Sequence, residues 1–401
     1  MRVGYVLERY PSLYQTYVLD EMLELERLGF QLVVYALSTP PDGAPVHERV
    51  AALRAPVIHT PSFRQDASSY LRVPQFLFRQ TRATLPRLAK PVLRSRGRVA
   101  IQSLLRAGYL APSARREGIE HFHAHFATGA NVVAWHLGQL LDRPFSFTVH
   151  AADLFARPVL LCESLRASRF VITVSQYHRE FISRFCGGSS AGRVHVIHAG
   201  IRPEAFRSER PARGSRPRLL SVGRLVEKKG HRYLIEALAQ LKAKGYDFEG
   251  LIAGEGPERP HLTRLIDGLG LAGQVRLLGA LTSDQVWGLY AVSDIFVLPC
   301  VVARDGDQDG IPVSLMEAMA SGLPVVTTPV SGIPELVTED VGRLVPPRDS
   351  GALAEALREL METPDRCEAL GRRGQAAVET GFQVRKNTER LAALFERGGE
   401  W

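Results

Sequence analysis

The chain has 401 residues, 45% of them apolar and 23% charged, with a formal net charge of +8. That is the make-up of an ordinary soluble globular protein, long enough for two domains with separate cores. No stretch approaches the ~18 apolar residues of a membrane span, and Glu8 falls where a signal peptide needs an apolar run.

The charge is uneven. Twelve Lys/Arg and one acid, Asp66, lie between Arg64 and Arg116, so the rest of the chain sums to about −3. A local basic block points to an anionic partner. The four cysteines, Cys162, Cys186, Cys300 and Cys367, form no CxxC pair and no ladder of spacings. Reduced thiols and a cytoplasmic location fit that usage better than a disulfide framework.

In chain order, Arg2–Leu7 reads as an apolar strand, Tyr14–Gly29 as a helix with Val18, Met22, Leu25 and Leu28 on one face, and Gln31–Leu37 as the next strand. Strand, loop, helix, strand opens a doubly wound parallel sheet. Residues 61–116 hold Pro74, Pro86 and Pro91, which favour several short helices. Within 92–110, Ile101, Leu104, Leu105 and Gly108 share a helical face beside Arg94, Arg98 and Arg106. Two readings stay open: an element on an anionic membrane surface, or a solvated helix packed on its own domain. No nucleic-acid-binding motif accompanies the charge.

Ile119–Phe126 reads as a strand whose His121, His123 and His125 alternate onto one face. No cysteine or acid follows at ligand spacing, so the expectation is hydrogen-bonded histidines and no metal. Phe145–Val149 is a strand ending at His150-Ala151-Ala152-Asp153, where α/β sheets bind ligands. Asp153 is expected to cap or orient its surroundings. Phe170–Val174 and Val194–Ile197 are further strands. After Phe206 the sequence RSERPARGSRPR is polar and rich in Pro and Gly, which makes it a linker.

The second half repeats the pattern. Leu219–Val222 is a strand leading to GRLVEKKG, in which Arg224 and Lys229 suit a diphosphate and Glu227-Lys228 read as solvated surface. Leu251–Ala253 ends at the tight turn Gly254-Glu255-Gly256, where backbone can approach a ligand closely. Ile295–Leu298 precedes the acidic loop from Asp305 to Gly310. Pro312 then suits a first helical turn, Val313–Ser321 is the helix, Gly322 stops it, and Leu323–Thr327 is a buried strand. A loop feeding a helix N-terminus is a seat for phosphate. Asp309 and Glu317 bracket that seat, a placement suited to gripping uncharged hydroxyls.

The run GIPVSLMEAMASGLPVV, with an acid eight positions before Glu317, resembles the donor-site signature of glycosyltransferase family four. SGIPELV and SVGRLVEKKG match as well, and the N-terminal half is most similar to bacterial exopolysaccharide glycosyltransferases of the colanic-acid type. The resemblance implies a GT-B fold: an acceptor-side Rossmann-like domain (1–206, with a basic helical insert at about 61–116), a linker (207–216), a donor domain (217–380), and a last helix (381–401) crossing back. It implies a retaining, metal-independent hexosyltransferase working in a cleft, with a nucleoside-diphosphate sugar as co-substrate, a UDP-sugar favoured over a GDP-sugar, and no cofactor. The acceptor would be a saccharide or a lipid-linked one. The location would be cytoplasmic, free or peripheral at the inner membrane face, without nucleic acid.

By the same resemblance, Arg224 and Lys229 bind the diphosphate, Glu317 the ribose, Asp309 the sugar hydroxyls, and His150 the sugar near the reacting carbon. Gly223, Gly254, Glu255, Gly256, Gly310, Ile311, Pro312 and Val313 would line the donor site. Tyr14, Gln15, Thr16 and His125 would lie on the acceptor side. The chain departs from the pattern twice: Asp309 replaces a glutamate, and Tyr14-Gln15-Thr16-Tyr17 replaces Ser-Glu-Thr-Phe. Asp305-Gly306-Asp307 and Asp307-Gln308-Asp309 also spell Asp-x-Asp, the metal signature of a different glycosyltransferase fold. A sugar phosphorylase or epimerase of the same fold, or a non-catalytic sugar-nucleotide-binding protein, remain the alternatives.

Overall fold

A computed structural model describes the chain except for residues 13–14, 42–45, 47, 64–65, 72, 75–76, 78–97, 156–157, 189–190, 207–213, 215 and 398–401. Tyr14, much of the basic segment and most of the expected linker therefore lie outside the described residues. The chain divides into two compact units, Met1–His198 with Val384–Trp401, and Ala199–Gln383. Ile201 and Phe206 are buried in the second unit's core, so the residues before the expected linker belong with that unit.

The first unit carries seven parallel strands in the order β3-β2-β1-β4-β5-β6-β7: β1 Arg2–Leu7, β2 Gln31–Ala36, β3 Val57–His59, β4 His121–His125, β5 Phe145–Val149, β6 Val171–Thr173 and β7 Val194–Val196. Register is set by apolar residues that must be covered on both faces, with Val3 opposite Leu32 on one side and His121 on the other. The Gly129–Leu141 helix is buried almost all round, between the sheet and the Arg98–Arg116 helix.

That outer helix corrects an expectation. Its buried face is Ala100, Ala107, Leu110, Ala111 and Ala114, whereas Ile101 is 53% exposed. Small side chains let two helix backbones approach closely, so the alanines, not the bulkier Ile101, face the neighbour. The last helix, Val384–Glu396, packs on the Thr16–Arg27 helix, and its Phe395 lies edge-on to His121 and His123.

The expectation of reduced cysteines is also overturned in part. Cys162 and Cys186 are joined by a disulfide spanning a sequence separation of 24, because the helices Leu161–Ala167 and Gln176–Phe185 bring them together. Cys300 and Cys367 are buried and belong to no disulfide.

The second unit has six parallel strands in the order β10-β9-β8-β11-β12-β13: β8 Arg218–Val222, β9 Glu249–Ala253, β10 Val275–Gly279, β11 Ile295–Leu298, β12 Val325–Thr327 and β13 Arg343–Leu344. Helices His231–Ala243, Val313–Ala320, Ser350–Glu362 and Pro364–Gly381 bury apolar stripes against it. Both units are thus doubly wound, and in each the loops at the carboxyl ends of the strands form the place for a ligand.

Candidate active site

In the second unit β8 runs into Gly223, and the turn that follows closes on the short helical turn Glu227–Lys229. Gly230 ends it with φ +70°; a Cβ there would sit 1.8 Å from the Pro299 carbonyl oxygen, so only glycine fits. This places the lysine turn directly against the chain leaving β11. A Cβ on Gly254 would lie 1.9 Å from the Gly223 carbonyl oxygen. The close approach expected at Gly254–Gly256 is thus made to the neighbouring turn, sealed by Leu225 N–H donating to the Glu255 carbonyl at 3.0 Å.

Lys229 Nζ lies 2.8 Å from Asp309 Oδ2, and its stem runs past Gly223, where a Cβ would be 3.3 Å from Cδ. Lys228 corrects the reading of a solvated side chain. It is 4% exposed, with Nζ 2.9 Å from Asp307 Oδ1 and 3.7 Å from Asp309 Oδ1. A buried ammonium needs paired charge, and these two carboxylates supply it. The free thiol of Cys300 donates to Asp309 Oδ2 at 3.5 Å. Burial alone would raise the Asp309 carboxyl, but Lys229 and Lys228 outweigh it and hold it below its usual value. Burial likewise works against the Lys229 ammonium, and Asp309 reverses this to a net rise. The pair is ionised.

Arg224 is exposed, and its charge opposes that of Lys229. Gly310, Ile311 and Pro312 are buried and lead into the helix Val313–Ala320. Pro312 is the residue before the helix, not its first turn, and no side chain caps this end. Its first N–H groups are free of side-chain acceptors, as an anion seat requires. Glu317 accepts a hydrogen bond from the Tyr290 hydroxyl at 2.9 Å. Lys228, Tyr290 and Cys300 were all missed from the sequence. Two adjacent lysines facing two alternating acids was the only signal, and it identifies charges to be balanced, not which are buried.

In the first unit, the three alternating histidines share one face of β4 as expected, all buried. Hydroxyls from β5 meet both ring nitrogens of His123 and one of His121, whose Nδ1 is buried without a partner. Ser146 Oγ lies 2.7 Å from His121 Nε2 and 2.8 Å from His123 Nδ1, and Thr148 Oγ1 lies 3.1 Å from His123 Nε2. His125 is held on both sides, with Nε2 3.0 Å from Glu21 Oε1 and Nδ1 3.1 Å from His150 Nε2. Glu21, His123 and His125 lie close enough to share a metal ion. Yet His123 and His125 have both ring nitrogens already hydrogen-bonded to protein groups.

His150 follows β5, walled by Phe126 and Tyr17 with ring centroids at 4.5 and 5.1 Å. Burial, then the neighbouring His125 and His178, lower its pKa well below the ordinary value. Asp153 accepts the His150 backbone N–H at 2.9 Å and that of Ala127 through its other oxygen. Burial pushes the Asp153 carboxyl up to about 7 against these hydrogen bonds. Gln15 and Thr16 are half-buried at the start of the Thr16–Arg27 helix, and Gln15 makes no side-chain cap. Glu8, unread from the sequence, accepts from the Thr128 hydroxyl and the Ala130 N–H, anchoring the Gly129–Leu141 helix.

Two family models match the chain: Glycosyltransferase Family 4 over residues 15–205, and Glycosyl transferases group 1 over 203–377. WcaL of Escherichia coli K12, assigned by its name to colanic acid biosynthesis, is 31% identical over 99% of this chain and 100% of its own. The chain is a family-four glycosyltransferase. A GDP-mannose-dependent phosphatidylinositol monomannoside mannosyltransferase of Mycolicibacterium smegmatis is 32% identical over 56% of this glycosyltransferase and 61% of its own length. In three dimensions it resembles Anabaena HepE, solved with UDP and glucose, with a TM-score of 0.73, 20% identity, and coverage of 99% and 100% of the two chains. The fold is therefore GT-B and the donor a nucleotide sugar. Among the described residues no helix is long and apolar enough to cross a membrane.

Proposed function

We propose that this glycosyltransferase moves a hexose-type sugar, with retention, from a UDP-sugar to a hydroxyl of a saccharide or lipid-linked acceptor, in bacterial polysaccharide or glycoconjugate synthesis. The observation that carries this reading is the Lys229–Asp309 pair. A half-buried cation is paired with the acid of the loop that leads into an uncapped helix end, with exposed Arg224 adding a second positive charge. Charge growing on a departing diphosphate is what such an arrangement stabilises. Arg224 and Lys229 serve the diphosphate, with Gly223 leaving room for the lysine stem. Gly310 to Val313 offer the helix end, and the Gly254–Gly256 turn takes the nucleoside. Glu317 holds the ribose, Asp309 the sugar hydroxyls, and His150 of the first unit the sugar. Gln15, Thr16 and His125 face the acceptor. Asp307 and Asp309 are bound to lysines, so the reaction is expected to survive a chelator.

UDP is preferred on the likeness to HepE, and the mannosyltransferase relative makes GDP-mannose the donor to test against it. The test is transfer of labelled sugar from a panel of UDP- and GDP-sugars to saccharide and polyprenyl-linked acceptors, with the product anomer read by NMR. An inverted anomer overturns retention. Phosphate-dependent release, or sugar interconversion without an acceptor, would establish the phosphorylase or epimerase instead, and tight donor binding without chemistry a binding protein. Contact with an anionic membrane belongs to the same proposal, supported by the exposed Val99 and Ile101 beside the basic segment. Co-sedimentation with phosphatidylglycerol vesicles, absent with phosphatidylcholine, tests it. A cytoplasmic location is tested by cell fractionation, and transfer activity released with the periplasmic contents would overturn it.

A further inference from the structure

The hydrogen bonds that reach His150 form a chain that begins at Tyr5 and Glu21. Tyr5 donates its hydroxyl to Glu21 Oε1 at 2.7 Å, and burial followed by Glu21 itself pushes the Tyr5 phenol well above its ordinary value. The phenol stays a donor, so the oxygen it meets is an acceptor. The same oxygen lies 3.0 Å from His125 Nε2, and that nitrogen must carry a hydrogen. With that one hydrogen on its ring, His125 would offer Nδ1 as an acceptor. At 3.1 Å from it, His150 Nε2 must be the protonated nitrogen of its own ring. His150 is left with an unprotonated Nδ1, a hydrogen-bond acceptor and not a donor. The His125 and His150 rings are stacked with 20° between their planes, and Tyr5 also stacks on His125. Phe126 and Tyr17 restrict the His150 ring further.

We propose that Glu21 and His125 are positioning residues that hold His150 as the Nε2–H tautomer, so that it recognises a hydroxyl of the donor sugar by accepting its hydrogen bond. The inference rests on the reading that His150 meets the sugar. It assigns a role to Glu21, on the Thr16–Arg27 helix, that no motif marks, and it makes His125 the link to His150 as well as an acceptor-side residue. A sugar hydroxyl is both donor and acceptor, so the fixed tautomer selects one of its two orientations. In Glu21→Gln an amide replaces the carboxylate and can donate to His125 Nε2, which permits the whole chain to reverse. Glu21→Asp keeps an acceptor-only group.

The experiment uses the full chain labelled with 15N-histidine, assigned by comparison with His150→Gln, and long-range 1H–15N correlation near pH 7. The expected wild-type result is a protonated Nε2 and bare Nδ1 at His150. In Glu21→Gln the opposite tautomer should gain population, and kcat should fall about ten- to a hundredfold, the range seen when groups orienting a functional histidine are lost. The donor KM should change less than threefold, and Glu21→Asp should recover part of kcat. A wild-type His150 protonated at Nδ1 overturns the proposal. So does a folded Glu21→Gln variant with kcat within twofold of wild type. The underlying reading fails separately, if His150→Ala transfers sugar at the wild-type rate while the tautomer is as described.

Discussion

Each unit of this glycosyltransferase gathers buried polar side chains at the carboxyl ends of its parallel strands, and the two do so with opposite chemistry. In the first, His123, His125 and His150 are hydrogen-bonded by hydroxyls, by Glu21 and by each other, and burial holds the pKa of His123 and His150 down. In the second, Lys228, Lys229, Asp307 and Asp309 are buried or half-buried as ions. A network of histidines and hydroxyls can read groups such as sugar hydroxyls without binding anions indiscriminately. An ionic network can meet a doubly charged diphosphate, because the attraction is strong where water is scarce. The pairing with Asp309 also keeps Lys229 from being an isolated buried charge when no ligand is there.

The contrast can be broken most sharply at Lys229. Lys229→Ala should lower kcat/KM by about a thousandfold, the scale for removing one group that stabilises developing charge. Steady-state kinetics with the preferred donor measure it. A loss below tenfold would place the diphosphate elsewhere. Glu317→Ala should cost less, about 10- to 100-fold in kcat/KM (roughly 1.4–2.8 kcal/mol). The loss should shrink with a 2′,3′-dideoxyribose donor, since the hydroxyl partner is then already gone.

Lys228 separates structure from catalysis. Lys228→Met leaves Asp307 without its ammonium and Asp309 with one cation instead of two. The expected cost is about 3 kcal/mol, that of breaking a buried pair by removing one partner. Urea titration at pH 7 reads it, and Lys228→Arg should recover part of it.

The two networks also differ in their response to pH. Asp309 is depressed in the folded chain, so its stabilisation is present above its unfolded pKa and is lost as pH falls through the folded value. Lys229 is raised, so its share is present below its unfolded pKa and lost only as pH rises through the folded value. The ionic cluster therefore leaves stability flat near neutrality. The histidines do not. His121 and His231 are lowered to about 3 and His136 to about 4, chiefly by burial. The unfolded chain takes up protons at these sites below about pH 6.5, and the folded chain does not. Stability should therefore fall steadily from pH 6.5 to 4. Replacing His231 with leucine should flatten that slope by about 1.4 kcal/mol per pH unit, checked by urea midpoints across the range.

Much of this was legible in the sequence because the parallel strands are buried on both faces and read as apolar runs. The lysine turn and the acidic loop were legible because their chemistry needs those residue types in order. What escaped depends on distance along the chain. Lys228 looks like a surface lysine until it meets Asp307, 79 residues on, and Glu21 is 104 residues from His125. The Cys162–Cys186 bridge has a spacing that no motif reserves for disulfides. β3, only Val57–His59, is too short to show a period, and Ile101 was read as inward because apolar bulk outweighs alanine in any pattern count.

The contact between Gly230 and the Pro299 carbonyl oxygen has a practical consequence. With no room for even a methyl group, the segment bearing the lysines and the one leading to the acids behave as a single rigid part. Anyone building chimeras to alter donor choice should transplant residues 223–230 and 299–313 together. Exchanging either alone would leave a mismatched backbone seam as well as unbalanced charge.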